Sequence, residues 1–296
     1  MNAEMRIVDA TASGLSRTFT IELDAGWVDA TFNAQLERVG RTTRVRGFRA
    51  GKAPVGVLRA RLGTQLTQDV VDQLAVTVSR KLIQEGQLRP VSRPVIEALS
   101  GLQKGQFQFN LIIEVLPDVT LRPLEGLTIQ RLTAMPGSSD LSWLHVKRQV
   151  LDWLASHYDF EVPGTMVERE FSRILKSHAD HVDMPVDHPL KLRYREVAQR
   201  RVRLAIVLLQ LGKAHNVEMA RGEIGQLVRH RYGREDGLGS IIDFYADHPT
   251  ALAELQSPAL ENAVVALIVS KSKIVDRVVT VDELATAAAN GVLPLE

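Results

Sequence analysis

Apolar and polar residues alternate in two stretches of the chain. Phe19, Ile21 and Leu23 alternate with Thr20 and Glu22, and Phe107, Phe109, Leu111, Ile113 and Val115 repeat the pattern. A period of two predicts strands with one buried face. Met5 to Ala10 and Val91 to Ala98 are further extended candidates. Between the strands the period changes: Val28, Phe32, Leu36 and Val39, then Val71, Leu74, Val78 and Leu82, recur at helical spacing. Such a mixture predicts an α+β amino-terminal domain over residues 1–131, with helices packed on a small antiparallel sheet.

From Leu141 onward helical period takes over. Trp143, Val146, Val150 and Leu154 form one stripe, Val167, Phe171, Ile174 and Leu175 a second, and Val197, Leu204, Leu208 and Leu211 a third. Short helices are expected at 220–232 and 240–246. A longer one opens at Pro249, with Pro258 as a kink. Ile274 to Val279 reads as extended, and Thr280 with Glu283 has the spacing of a capping box for a terminal helix. Residues 142–296 are therefore expected to form an all-α domain. Thr133 to Asp140, rich in small and turn-forming residues, marks a linker over 132–141. Ile206 and Leu209 widen the third stripe, as a helix buried on two sides requires.

The chain has 296 residues, 45% of them hydrophobic, enough for two cores. It contains no cysteine, which excludes disulfide and thiolate chemistry. The start, Met1 to Ile7, lacks an apolar signal core, and the longest apolar runs are too short to span a bilayer, so a cytoplasmic protein without membrane association is expected. The net charge of +1 conceals an asymmetry of +4 over residues 1–131 against −3 over the remainder. Positive charge concentrates between Arg38 and Arg61, which hold eight basic residues and no acidic one.

At the centre of that stretch lies Gly47-Phe48-Arg49-Ala50-Gly51-Lys52-Ala53-Pro54. Two glycines free the backbone to turn, so that Phe48, Arg49 and Lys52 can point outward together. Pro54 suits the first turn of a helix beginning at Val55. A basic loop with an aromatic tip suits a polyanion such as RNA, and a solvated connection between two helices has the same composition.

The pattern Gly-Phe-Arg-x-Gly-x-x-Pro resembles the signature loop of the trigger factor family, bacterial chaperones that dock at the ribosomal exit tunnel. The resemblance continues through Leu62 to Gly86, Pro90 to Pro94 and Phe107 to Pro117, then Phe160-Glu161-Val162-Pro163, Glu168-Arg169-Glu170 and Ile242-Asp243-Phe244-Tyr245. It covers nearly the whole chain. It implies ribosome binding through Gly47, Phe48, Arg49, Gly51, Lys52 and Pro54, with Arg44 and Arg46 as auxiliary charge. Ala50 departs from the Lys or Pro common there in the family. The resemblance further implies that the helical domain is arm-bearing and holds unfolded or nascent polypeptides without ATP or any other cofactor. Members usually carry an FK506-binding-type peptidyl-prolyl isomerase domain between the two parts, and the linker here leaves no room for one.

No enzyme is therefore expected. G-x-S-x-G, phosphate-loop and H-E-x-x-H patterns are absent. His178, Asp180, His181, Asp183 and His188 supply ligand atoms for a metal but not the spacing of a recognised site. Three other readings stay open: a ribosome-independent holdase of the same architecture that self-associates as a homodimer, a residual prolyl isomerase or hydrolase, and a plain RNA-binding protein.

Overall fold

The computed structural model describes residues 5–42, 47–49, 52–98, 107–124, 126–134, 139–178, 181, 184–185, 187–217 and 249–289, without the side chains of 64, 65, 68, 98 and 249–259. Two compact units emerge, Met1–Pro117 and Asp118–Glu296.

In the first unit, strands β1 (Met5–Ser13), β2 (Ser16–Leu23), β3 (Val95–Ala98) and β4 (Phe107–Glu114) form an antiparallel sheet in the order β1-β2-β4-β3. The alternation predicted for β4 is realised residue by residue: Phe107, Phe109, Leu111 and Ile113 are buried, and the residues between them are half-buried. On the less buried face Thr20 donates to Asn110 Oδ1 at 2.9 Å. Helix α1 (Ala25–Thr42) begins where the Asp24 carboxylate accepts the Trp27 N–H at 3.0 Å, satisfying a free first-turn donor. Its Val28, Phe32 and Leu36 join Leu66, Val70, Leu74 and Val78 of α2 (Val55–Glu85) over the sheet. The helix expected to begin at Val55 and the helical stripe of Val71, Leu74, Val78 and Leu82 are this one helix. Pro54 stands at its N-cap, one position before the first turn.

The second unit is mostly helical: α3 (Ser139–His157), α4 (Gly164–Ser177), α5 (Pro189–Ala214), α6 (Pro249–Ser270) and α7 (Val281–Ala289). The stripes predicted for α3 and α5 supply its core through Val146, Val150, Leu154, Val207, Leu208 and Leu211, with Val264, Val265 and Ile268 of α6. Trp143, read as part of the α3 stripe, is 38% exposed, and Ser142 is buried in its place, donating to the Leu132 carbonyl at 2.5 Å. Ile206 is buried, as a two-sided helix requires, whereas Leu209 is exposed. The helices expected at 220–232 and 240–246 lie outside the described residues, and α6 runs through Pro258.

This unit is not wholly α-helical. β5 (Thr128–Thr133) and β6 (Lys273–Val278) pair in parallel, with Arg131 opposite Asp276. Pairing across 145 residues leaves no local trace in the sequence. By contact, residues 118–131 group with the second unit. Of the expected linker, Leu132 and Thr133 are strand residues, while Ser139 and Asp140 open α3.

Candidate functional site

The candidate loop connects α1 to α2, and its base is held by close packing. Gly40 stands near the end of α1, where an added Cβ would come within 2.6 Å of Leu58 Cδ1 on α2. One turn into α2, the Arg59 guanidinium lies 5.0 Å from the centroid of the Phe32 ring and donates to Asn33 Oδ1 at 3.2 Å. One of the eight clustered cations thus braces the two helices.

Above this base Gly47 has φ +92°, the left-handed region that side chains resist, and a Cβ there would meet nothing within 4 Å. Phe48 follows with 41% of its surface exposed, a large value for an aromatic residue. The Lys52 N–H donates to the Arg49 carbonyl at 2.9 Å, closing a turn. The Arg49 and Lys52 side chains are exposed, while Ala53 packs against the core and anchors the far side. The Pro54 carbonyl then accepts from Val57 at 3.0 Å and Leu58 at 3.1 Å, starting α2. Phe48, Arg49 and Lys52 therefore share one exposed turn between two anchored ends. Gly51, Arg44 and Arg46, the other residues named for this site, lie outside the described residues. Sequence reasoning missed Gly40, Ala53 and Arg59. Of these only Gly40 carried a signal, as a lone glycine at a core-facing position of a helical pattern.

The histidine-rich segment holds α4 to α5. His181 Nδ1 lies 2.7 Å from the Tyr194 hydroxyl, and the His178 and His181 rings stack at 5.8 Å. The His188 ring accepts the Leu190 N–H at 3.3 Å, capping α5. Asp180 and Asp183 lie outside the described residues, among which no three His, Asp or Glu side chains are grouped to hold a metal. The same two helices are tied by Arg195–Glu168 at 2.5 Å and Arg201–Glu170 at 2.8 Å, so the Glu168-Arg169-Glu170 segment has a packing role. Among the described residues, no helix is long and apolar enough to cross a membrane.

Residues 5–141 match the family model of the bacterial trigger factor protein, and 144–270 match that of its C-terminus. Trigger factor of Rhodospirillum centenum is 23% identical over 434 aligned positions, covering 95% of this chain and 97% of its own. That of Gluconacetobacter diazotrophicus is 22% identical over 438 positions, covering 95% and 98%. A solved trigger factor chaperone structure superposes with a TM-score of 0.60 at 10% identity, covering 90% of this chain and 99% of its own. Alignments of 434 and 438 positions exceed the 296 residues here, so those relatives carry internal sequence that this chain does not. Only residues 142 and 143 separate the two family matches, which leaves no place between them for an isomerase domain. The chain belongs to the trigger factor family of chaperones, in a form that joins its amino- and carboxy-terminal parts directly.

Proposed function

We propose that this protein is an ATP-independent chaperone that docks at the ribosomal exit tunnel through the Gly47–Pro54 loop and holds nascent or unfolded chains without isomerising their prolines. The observation that carries the reading is the exposed Phe48 beside the Arg49 and Lys52 side chains, on a turn anchored at both ends, in a chain of this family. Arg49 and Lys52 meet phosphate or acidic side chains, and Phe48 enters an apolar crevice, which adds geometric selectivity to a salt-dependent attraction. The solved relative is described as recognising substrates promiscuously in folding and assembly, and in this reading the mostly helical second unit holds the client. The protein acts in the cytoplasm, where ribosomes are.

Cosedimentation with vacant ribosomes across a salt series, beside the Phe48→Ala, Arg49→Ala double variant, tests the docking. Binding that weakens with salt and is lost in the variant is the expected result. Equal binding by both proteins would remove the loop from the mechanism. Wild type that stays in the supernatant at low salt would leave a free-standing holdase.

A further inference from the structure

The two edges of the small β5–β6 sheet are treated differently. On β5, the Gln149 side chain of α3 accepts from the Gln130 N–H at 3.0 Å and donates to the Gln130 carbonyl at 2.7 Å. Ser142 takes the Leu132 carbonyl of the same edge. Helix α3 thus occupies the outer edge of β5 with side chains that imitate a neighbouring strand. Among the described residues β6 has no such cover. The N–H groups of Lys273 and Val279 bond to the carbonyls of Leu127 and Thr133, so alternation turns residues 273, 275, 277 and 279 toward β5. The backbone groups of Ile274, Asp276 and Val278 face away from it, and among the described residues they have no partner. All six β6 residues are exposed, with Val278 at 80%. Ile274 also lines a cavity of about 460 Å³ with Arg131, Thr133, Ser142, Trp143, Val146 and Val269.

We infer that the open edge of β6 is a client-binding site that takes an extended segment of unfolded polypeptide as an added strand. The inference rests on the chaperone reading above and gives it a location. Main-chain pairing suits a promiscuous holder, because every client offers the same N–H and C=O groups whatever its side chains. The cavity at Ile274 then receives one apolar client side chain. Charge selects a foreign strand over a second copy of this one. In the two antiparallel registers of greatest overlap, self-pairing sets Lys273 opposite Arg277 twice, or Asp276 opposite Asp276. Arg131 already pairs with Asp276 and Glu283 lies near Arg277, so Lys271 and Lys273 leave the edge basic and favour clients whose apolar segments carry acidic residues.

Val278→Pro tests this without breaking the sheet. The outward N–H of an edge strand is where proline is tolerated, and Val278 has little packing to lose. The probe is reduced, carboxymethylated lactalbumin, a permanently unfolded acidic chain, with affinity read by anisotropy and backbone protection by hydrogen exchange. In the wild type the probe should slow exchange at Ile274, Asp276 and Val278. In the variant affinity should fall about 10-fold to 100-fold, as the loss of one or two strand hydrogen bonds implies, while Val275 and Arg277 stay protected. Unchanged affinity with no added protection would overturn the edge site and leave the chaperone reading standing. Failure of the wild type to bind the probe at all would overturn both. Protection that grows with protein concentration in the absence of probe would assign the edge to a second copy instead.

Discussion

Gly40 and Leu58 lie in close contact: a Cβ on the glycine of α1 would stand 2.6 Å from Cδ1 of the buried Leu58 of α2, so the leucine side chain would have to shift. This contact lies at the base of the candidate loop. Gly40→Ala gains about 1 kcal/mol of helix propensity, but overpacking at such a contact costs about 1–3 kcal/mol. The variant should be less stable in a urea titration. Leu58→Ala alone should cost about 2–5 kcal/mol. The double variant should be more stable than the sum of the two predicts, because each change relieves the other. Additive losses would mean that the helices separate freely.

Helix α2 ends in a Schellman motif whose left-handed position is held by Gln87, at φ 47°, rather than by the preceding Gly86 at φ −82°. The Leu88 N–H reaches the Ile83 carbonyl at 3.0 Å, and the Gln87 N–H reaches that of Gln84 at 3.3 Å. Helix α5 ends the same way with Asn216 at φ 50° and Val217 bonded to Gly212 at 2.8 Å. A side chain with a Cβ costs about 1–2 kcal/mol in this conformation, a cost that asparagine reduces by bonding locally. Gln87→Gly should therefore raise stability by about 0.5–1 kcal/mol after the entropy of glycine is charged. Asn216→Gly should change it by a few tenths at most. A stabilised Asn216→Gly beside an unchanged Gln87→Gly would reverse the argument.

These helix ends show how far the sequence could be read. Every element that carries its own period was legible: the buried alternation of β4, the α1 and α2 stripes, and the capping box of Thr280 and Glu283, which closes at 2.9 and 3.2 Å. Elements fixed by distant partners were not. Nothing near Thr128 or Lys273 announces their parallel pairing, so local period alone gives an all-α second unit and misses its small sheet. Trp143 fits the α3 stripe by period, yet the stripe that packs runs through Ser142, because its hydroxyl is needed by the Leu132 carbonyl. At the loop, Phe48, Arg49 and Lys52 were legible as residue types, whereas the bracing of Phe32 by Arg59 depends on how two helices cross.

The left-handed turn at Gly47 gives the loop a test that leaves its charge and its aromatic residue untouched. A Cβ at this position meets no atom, so Gly47→Ala acts only through backbone strain. That strain is about 1–2 kcal/mol, and a loop exposed on this scale relieves it by re-aiming Phe48 rather than by unfolding the domain. Thermal stability should fall by no more than a few degrees, while ribosome affinity, read by cosedimentation at fixed salt, should fall about 10-fold or more if Phe48 and Arg49 act as one oriented pair. Undiminished docking by Gly47→Ala would show that charge alone suffices.

The capping box of α7 makes its terminal helix sensitive to acid. The Thr280 N–H donates to the Glu283 carboxylate, and this backbone hydrogen bond, with the Thr280 side chain and the nearby Arg277 charge, holds Glu283 below its ordinary range. The depressed value belongs to the folded state, so the contribution of Glu283 is fully present above the unfolded carboxylate pKa of about 4.3 and is lost as pH falls through the lower folded value. Asp276, lowered by its hydrogen bond to Arg131, shifts in the same sense one strand earlier. Hydrogen exchange at α7 should accelerate on acidification below about pH 4 before that of α3 or α5 does, with buried Leu284 released together with it. Glu283→Gln keeps an acceptor for the Thr280 N–H but removes the titration, so its α7 should exchange at a rate that no longer depends on this protonation. An acid response identical in the variant and the wild type would place the sensitivity elsewhere.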